Sequence, residues 1–432
     1  MSQGGPKGID PSGANPSRMK ISRSARTPFV TLVAVTIVAA LLPWASPSAG
    51  AAAVGAAACK NGKAGGYPCK GVDLQSFLPS ADLAGARIAD VWGWADPETK
   101  KEYALLGSTK GLLFVDVTNP KKPVYLGSLL GKADPTLIWQ EIEIYKDHAF
   151  VVCDLSPCNL QIFDLTRLRD VEAAQQWTPD SVFPIPNAHS IDHNPETGHL
   201  FVNGSLAIGN GAPVILDITS PKTPVPIGAI ADDGYTHDSL CRNYRGPDRD
   251  HKGKEICFNF NEDTVTIYDL SDPISPAQLA RVTYENASYV HSGALTKDHS
   301  YLISTDEGDE TGLGLRSTLY IWDVRKLAEP KLIGTYVAKS GAIDHNVYSN
   351  GTDALYHASY TNGFRILDMS SASKGKLKEV AYFDIMPESD APDFDGSWAA
   401  YPFLPSGNVL VGGMGQGLFI VKPDPAIIKR LR

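Results

Sequence analysis

The sequence predicts an all-β fold, a single seven-bladed β-propeller whose blades are four-stranded antiparallel sheets. Two observations lead to this prediction. A related segment recurs seven times at intervals of about fifty residues, which is the period of a propeller and not of a solenoid. Each copy contains short alternating strands bounded by turn residues, and no long amphipathic helix interrupts the series.

The repeat has the same plan in each copy. An apolar, β-branched strand ends at an aspartate, a short turn follows, and the next strand begins after Pro or Lys. An Asp side chain at this position can accept hydrogen bonds from turn amides, so we interpret these aspartates as turn formers and not as catalytic residues. The marker residues are Asp116, Asp164, Asp217, Asp269, Asp323, Asp368 and, in a degenerate form, Lys422.

The ends of the repeat region predict how the ring closes. The seventh unit, residues 396–424, ends before its fourth strand, and residues 71–79 have the sequence GVDLQSFLP, which is suited to a strand. We therefore expect the N-terminal segment to pair with the last blade, which removes the exposed sheet edges of an open ring.

The six cysteines form three pairs that are close in sequence, a pattern that suits local disulfides better than a CxxC metal clip. One pair would brace the chain that leads into the propeller, and the other two would lie in hairpins of blades two and four. Disulfides imply an oxidising compartment. The expected pairs are Cys59–Cys69, Cys153–Cys158 and Cys241–Cys257.

Residues 1–51 have the pattern of an N-terminal extension and a secretory signal peptide, with basic residues before an apolar stretch and small residues at its end. We take Met19 as the candidate true start. We expect a secreted, extracellular bacterial protein, with an uncleaved signal anchor in the membrane as the alternative. The expected domains are this region, a disulfide-braced segment at 52–70, the propeller at 71–424 and a C-terminal tail at 425–432.

Composition excludes several classes of function. The formal net charge is −9, and residues 1–51 hold five Lys/Arg and one Asp, so the exported chain is still more acidic and a nucleic-acid partner is not expected. The sequence contains no G-x-S-x-G elbow, P-loop, HExxH motif or dinucleotide fingerprint. We expect no stable membrane span after signal cleavage, and we expect a monomer.

Alignment of the repeats on their marker residues places four of the ten histidines in one register, at the start of the innermost strand of four consecutive blades. In blades one and two, acidic side chains lie at or next to the same register. In two of the histidine blades, an acidic or amide side chain directly follows the histidine. We predict that these residues converge at one mouth of the central channel and form a polar funnel for a cation or a small ligand. They are His189, His237, His291 and His345, with Asp90, Glu141, Asp238 and Asn346.

Two interpretations of the histidines stay open at this point. Each ring could hydrogen-bond the neighbouring blade and hold the ring together, or several rings could bind a metal. A zinc or copper site needs three or four donors at about 2.1 Å, so only a subset of the four would be ligands.

An acidic loop is a second candidate site. Residues 304–312, STDEGDETG, place four carboxylates between two strands of blade five. Calcium prefers such oxygen ligands, although the pattern is not that of an EF-hand and a solvated loop is the alternative. The candidate calcium ligands are Asp306, Glu307, Asp309 and Glu310.

Several long motifs resemble the choice-of-anchor B family, which comprises exported bacterial proteins with LVIVD-type propeller repeats. They include GYTHDSLCRNYRGPDRDHKGKEICFNFNEDTVTIYDLSDP, YVHSGALTKDHSYLISTDEGDE and GAIDHNVY. The resemblance covers roughly residues 59–421 and implies the fold and export, but no agreed activity. The family is named for its varied C-terminal surface anchors; this chain shows no sorting tail, so we expect release.

These observations lead to one leading hypothesis and two alternatives. The leading hypothesis is an exported propeller that serves as an extracellular binding or interaction module, with the histidine-lined channel mouth as its ligand site. Its partner would be an extracellular protein, a glycan or a small ligand. The alternatives are a metal-dependent enzyme, such as a copper oxidoreductase that uses the channel histidines, and a purely structural surface protein. Fold alone does not choose among them.

Overall fold

The computed structural model describes residues 54–131, 134 and 136–432. The extension and signal peptide predicted for residues 1–51 lie outside these described residues. Within them the chain forms seven four-stranded antiparallel blades in a ring, which confirms the predicted all-β propeller.

The first sixteen strands lead into the ring and form blades one to three, in chain order. The strands ahead of blade one are β1 (Lys63–Ala64), β2 (Tyr67–Lys70) and β3 (Val72–Pro79). Blade one contains β4 (Ile88–Ala95), β5 (Glu102–Ser108), β6 (Gly111–Asp116) and β7 (Val124–Leu129). Blade two contains β8 (Gln140–Tyr145), β9 (His148–Cys153), β10 (Leu160–Asp164) and, after β11 (Gln175–Trp177), β12 (Ser181–Phe183). Blade three contains β13 (Ser190–Asn194), β14 (His199–Asn203), β15 (Val214–Asp217) and β16 (Val225–Ala229).

The second half of the ring has the same arrangement. Blade four contains β17 (Asp238–Asn243), β18 (Glu255–Phe260), β19 (Val265–Asp269) and β20 (Ala277–Val282). Blade five contains β21 (Val290–Leu295), β22 (Tyr301–Asp306), the short helix α1 (Asp309–Leu313), β23 (Thr318–Asp323) and β24 (Lys331–Val337). Blade six contains β25 (Val347–Ser349), β26 (Ala354–Ser359), β27 (Gly363–Asp368) and β28 (Lys378–Phe383). Blade seven contains β29 (Ser397–Tyr401), β30 (Val409–Gly413) and β31 (Gly417–Pro423), and the helix α2 (Pro425–Arg430) follows.

Each blade runs from an inner strand on the channel to an outer strand, and three short strands extend the blades further. Strand β11 pairs in parallel with the outer strand β7 of blade one. The β1–β2 hairpin extends blade six, because β2 pairs with β28. Four 3-10 turns complete the regular structure, at Ser80–Leu83, Leu165–Leu168, Gly209–Gly211 and Ala372–Lys374.

The marker aspartates form the turns that the sequence predicts. Six of them end the third strand of their blade, and each carboxylate accepts the backbone N–H two residues later at 2.8 to 3.1 Å. This Asx-turn satisfies an amide that the strand ladder leaves unpaired. The six are Asp116, Asp164, Asp217, Asp269, Asp323 and Asp368.

The hydrophobic core is divided into seven clusters, and each cluster lies between two neighbouring blades. Between blades one and two, for example, the rings of Phe114 and Phe163 stack with their centroids 4.7 Å apart. A blade has two faces, so each sheet contributes apolar side chains to two clusters. The ring is therefore a closed series of sheet-on-sheet contacts.

The ring closes as predicted. Strand β3 pairs antiparallel with β31 and becomes the outer strand of blade seven. Phe77 on β3 is buried and stacks on Phe419 of β31 at a centroid distance of 4.2 Å. The three predicted disulfides are also present, and Cys59–Cys69 links the chain ahead of β2 to the strand that leads into β3.

Among the described residues, no helix has the length and apolar character that a membrane crossing requires.

The closure can be tested at Phe77. We expect Phe77→Ala to lower the free energy of unfolding by about 3–5 kcal/mol, because it removes a fully buried ring from the contact between β3 and β31. The measurement is urea denaturation monitored by fluorescence. Gln75→Ala, on the same strand but only partly buried, is the control and should change stability by less than about 1 kcal/mol. Equal effects of the two substitutions would contradict the role of β3 in closure.

Candidate functional site

The central channel is lined by the seven inner strands. Contacts run from each inner strand to the next around most of the ring, and β29 of blade seven returns to β4 of blade one. Strand direction alternates within a blade, so the start of the first strand and the end of the second strand lie at the same mouth of the channel. Side chains from both positions can therefore meet there.

Four imidazole rings form a continuous row at this mouth. Each comes from the start of an inner strand in a different blade, and their ring centroids follow one another at 4.0, 4.2 and 4.4 Å. A tyrosine ring ends the row at 4.4 Å. In order, the row consists of His189, His237, His291, His345 and Tyr360. The structure thus brings together all four histidines that the repeat alignment singled out.

Hydrogen bonds fix the orientation of two central rings. His237 Nδ1 lies 3.2 Å from the carbonyl oxygen of His291, and His345 Nδ1 lies 2.6 Å from the carbonyl oxygen of Trp398. A carbonyl only accepts, so in each ring Nδ1 carries the proton and Nε2 carries the lone pair. This is the arrangement that orients a histidine as a metal ligand through Nε2.

Glu307 brings a carboxylate to the row. Its two oxygens lie 3.6 Å from His291 Nε2 and 3.4 Å from His345 Nε2. It also accepts a hydrogen bond of 2.5 Å from the Tyr360 hydroxyl. One ligand atom from each of His237, His291 and Glu307 lies within 4.8 Å of the other two.

Burial sets the charge of this cluster. Desolvation lowers the pKa of His237 and His291 well below the usual range and lowers the pKa of His345 to about 3. Desolvation also raises the pKa of Glu307 to about 7. These three imidazoles are therefore neutral at physiological pH, which is the state in which a histidine binds a metal.

The other predicted funnel residues make their own hydrogen bonds. Asp90 accepts hydrogen bonds from the backbone N–H groups of Val91 and Ile142. Asp238 accepts one from the backbone N–H of the next residue, Ser239. Burial raises the pKa of Asp90 to about 8 and that of Asp238 to about 7.

Glu141 and Asn346 are the remaining residues predicted for the funnel. Burial, followed by the nearby charge of Asp90, raises the pKa of Glu141 well above its usual value. Asn346 donates through Nδ2 to the carbonyl oxygen of Trp398 at 3.3 Å. Within the described part of the chain, Asp90, Glu141 and Asn346 have no direct hydrogen bond or ion pair to the row of histidine side chains.

Three residues near the row were not assigned to the funnel from sequence. The sequence pattern groups Glu307 with the calcium candidates and does not single out Asp154 or Tyr360. Asp154 pairs with His189 Nδ1 at 2.8 Å. All three directly follow the second strand of their blade, β9, β22 or β26. The register at the end of the second strand is the signal that could have identified them.

The four carboxylates of the acidic loop do not converge on one point. Asp306 accepts the Tyr284 hydroxyl at 2.6 Å and the amides of Ser288 and Tyr289 at 2.9 and 2.7 Å, so its oxygens are already engaged. Glu307 faces the histidines. Asp309 and Glu310 are buried elsewhere, within 4.8 Å of a third carboxylate that the sequence did not indicate, Asp344.

The opposite mouth of the channel holds a cavity of about 570 Å³. One side has aromatic rings in mutual contact: Trp92 lies 5.0 Å from Tyr401 and 6.2 Å from Phe403, centroid to centroid. The cavity is also lined by His193 and Glu143, which pair at 2.7 Å, and by Arg242, which pairs with Asp192 at 2.9 Å. All seven inner strands contribute residues to the lining of this cavity. The histidine register does not indicate this second cavity.

Comparison with known proteins does not assign this chain to a family. No family model and no curated protein matches the chain. Among solved structures, it is similar to a functionally unknown protein from Desulfotomaculum acetoxidans DSM 771, with 14% sequence identity and a TM-score of 0.49. The match covers 71% of this chain and 90% of that chain. The propeller that this chain forms is an architecture consistent with an interaction module.

The buried acids predict how stability depends on pH. The pKa of Asp90 is about 8 in the folded protein and near 4 in the unfolded chain, so between these values the folded state holds a proton that the unfolded state has lost. Stability should therefore fall as pH rises from about 4 to 8, by up to about 1.4 kcal/mol per pH unit for this one group.

We expect Asp90→Asn to reduce that slope, as measured by urea denaturation at pH 5, 6, 7 and 8. The substitution also disturbs one hydrogen bond to Val91 or Ile142, but that cost does not depend on pH, so the slope is the quantity to compare. Asp116→Asn, in a turn on the surface, is the control. An unchanged slope in Asp90→Asn would show that this carboxyl is not the buried acid that titrates.

Proposed function

We propose that this protein is an extracellular binding module that holds a late first-row transition metal ion in its row of histidines. The observation that carries the proposal is the convergence of His237, His291 and Glu307, whose ligand atoms lie within 4.8 Å of one another. The propeller supplies the scaffold, because each ligand comes from a rigid strand end.

The distances support a shared ion. Ligands at about 2.1 Å from a tetrahedral ion lie about 3.4 Å from one another. The spacings of 3.6 Å and 3.4 Å between Glu307 and the Nε2 atoms of His291 and His345 match this value. A ligand atom of His237 also lies within 4.8 Å of those of His291 and Glu307, so a third imidazole is near the same point.

The ligand types favour zinc, copper or nickel over calcium. Imidazole nitrogen suits these ions, whereas calcium takes oxygen ligands only. The three disulfides and the leader pattern of residues 1–51 support an extracellular location, where such an ion would come from the surroundings.

The metal content tests the proposal. We expect purified protein to contain about one zinc, copper or nickel ion per chain by elemental analysis, and His237→Ala/His291→Ala to contain none. Calorimetric titration of the metal-free protein should show an affinity at least about 100-fold weaker in Glu307→Gln than in the wild type, because a ligand is lost. His251→Ala, whose ring pairs with Asp269 on the outer part of blade four, should bind as the wild type does.

Each alternative has its own result in this experiment. A large loss of metal-free stability in the double variant, with no metal in either protein, would contradict the proposal and favour structural histidines. Copper in place of zinc would favour the oxidoreductase alternative, because zinc has no redox chemistry.

A second binding function is favoured by the cavity at the opposite mouth. Half-buried aromatic rings offer flat apolar faces, and the opposing side chains are already paired in His193–Glu143 and Arg242–Asp192. Because the charges are paired, the cavity suits a neutral ligand with an apolar face and hydroxyl groups at its edge. We propose a neutral glycan as its ligand.

Calorimetric titration with neutral hexasaccharides of glucose and of N-acetylglucosamine tests this second function. We expect at least one of them to bind, and we expect Trp92→Ala to weaken that binding by about tenfold or more, because the ring is lost from the stack. Phe394→Ala, which removes an exposed aromatic ring outside the cavity, is the control. Binding that Trp92→Ala leaves unchanged, or no binding at all, would contradict the glycan proposal.

A further inference from the structure

Three buried carboxyl groups meet between blades five and six. Asp309 and Glu310 belong to α1, and Asp344 lies shortly before β25. Their residues are 0%, 2% and 0% exposed, and one oxygen of each lies within 4.8 Å of the others. None of the ion pairs among the described residues provides this cluster with a Lys, Arg or His partner.

Backbone amides donate hydrogen bonds to two of these carboxyl groups. Asp344 accepts the amide of Asp306 at 2.9 Å with one oxygen and the amide of Thr318 at 3.0 Å with the other. Glu310 accepts the amide of Asp344 at 3.0 Å. An N–H that donates to a carboxylate stabilises the ionised form, but burial has the larger effect. Burial raises the pKa of Glu310 to about 8 and that of Asp344 well above its usual value, so negative charge here is costly without a cation.

The third carboxyl group, that of Asp309, also accepts a hydrogen bond. Two oxygens of the cluster then have no partner. Asp309 accepts the Tyr320 hydroxyl at 2.8 Å through Oδ2. Asp309 Oδ1 and Glu310 Oε2 are buried and have no hydrogen-bond partner. Buried charged oxygens without a partner are costly, because water and counter-ions are both excluded. A bound cation would remove this cost.

We propose that Asp309, Glu310 and Asp344 bind a Ca²⁺ ion that joins α1 of blade five to blade six. All the available ligand atoms are carboxylate oxygens, which suit a hard cation and not a transition metal. The site differs from the one expected from the sequence, because Asp344 replaces Asp306 and Glu307. It shares no ligand with the histidine row.

Terbium luminescence provides a direct test, since Tb³⁺ occupies Ca²⁺ sites and is excited by a neighbouring tyrosine. After treatment with EGTA, we expect Tb³⁺ to give emission on excitation of tyrosine and Ca²⁺ to displace it. Tyr320→Phe should lose most of that emission while it still binds Ca²⁺. We also expect Ca²⁺ to raise the melting temperature of the wild-type protein by a few degrees, because it binds only the folded state.

Two isosteric variants remove the charge of the ligands. Glu310→Gln and Asp344→Asn should each abolish the shift in melting temperature, whereas Glu329→Gln, an exposed carboxylate of the same blade, should keep it. His237→Ala/His291→Ala should also keep it, so failure of the calcium site and failure of the histidine site can be told apart.

Two results would overturn the proposal. One is a wild-type protein whose melting temperature and Tb³⁺ emission do not respond to Ca²⁺; shared protons would then neutralise the carboxyl groups. The other is an equal response in the wild type and in both charge-removing variants. If a variant does not fold, the Tb³⁺ titrations of the wild type and Tyr320→Phe still decide the question.

Discussion

The ring exists only because each pair of neighbouring blades shares one apolar cluster, and the last pair is complete only when β3 has joined β31. A single blade has two apolar faces and cannot bury both by itself. The closing strand therefore affects the whole molecule: without it, blade seven loses its outer strand and exposes the edge of β31 to aggregation. Phe77 and the Cys59–Cys69 disulfide hold the chain that performs this closure.

Carboxylates add a second kind of link between blades. Asp90 of blade one accepts an amide of blade two, Asp192 of blade three accepts the amide of Cys241 in blade four, and Asp344 of blade six accepts amides of blade five. These bonds satisfy polar groups near the channel that water does not reach. They also keep a carboxyl group in a buried place, and this burial raises the pKa of Asp90.

The sequence predicts the fold well because the signals for it are local. Period-two strands repeat in every blade and a turn-forming residue such as Asp116 repeats in six of them, and the histidines follow the same repeat. Glu307 and Tyr360 follow the second strand of their blade, whereas the histidine register is that of the first strand, so the histidine pattern does not indicate them. Asp344 was missed for a different reason, since its partners Asp309 and Glu310 lie more than thirty residues earlier and meet it only across a blade interface.

The turn after β22 connects these features. Its side chains diverge within five residues: Asp306 is held by amides of its own blade, Glu307 reaches the histidines, and Glu310 reaches Asp344 of blade six. A cation at the acidic cluster would hold α1 in place, and the chain that bears Glu307 is only two residues from Asp309. If an ion at the acidic cluster orders this segment, the histidine site loses less conformational entropy when it binds its own ion. The two sites are therefore expected to bind their ions with positive cooperativity, although no ligand is shared between them.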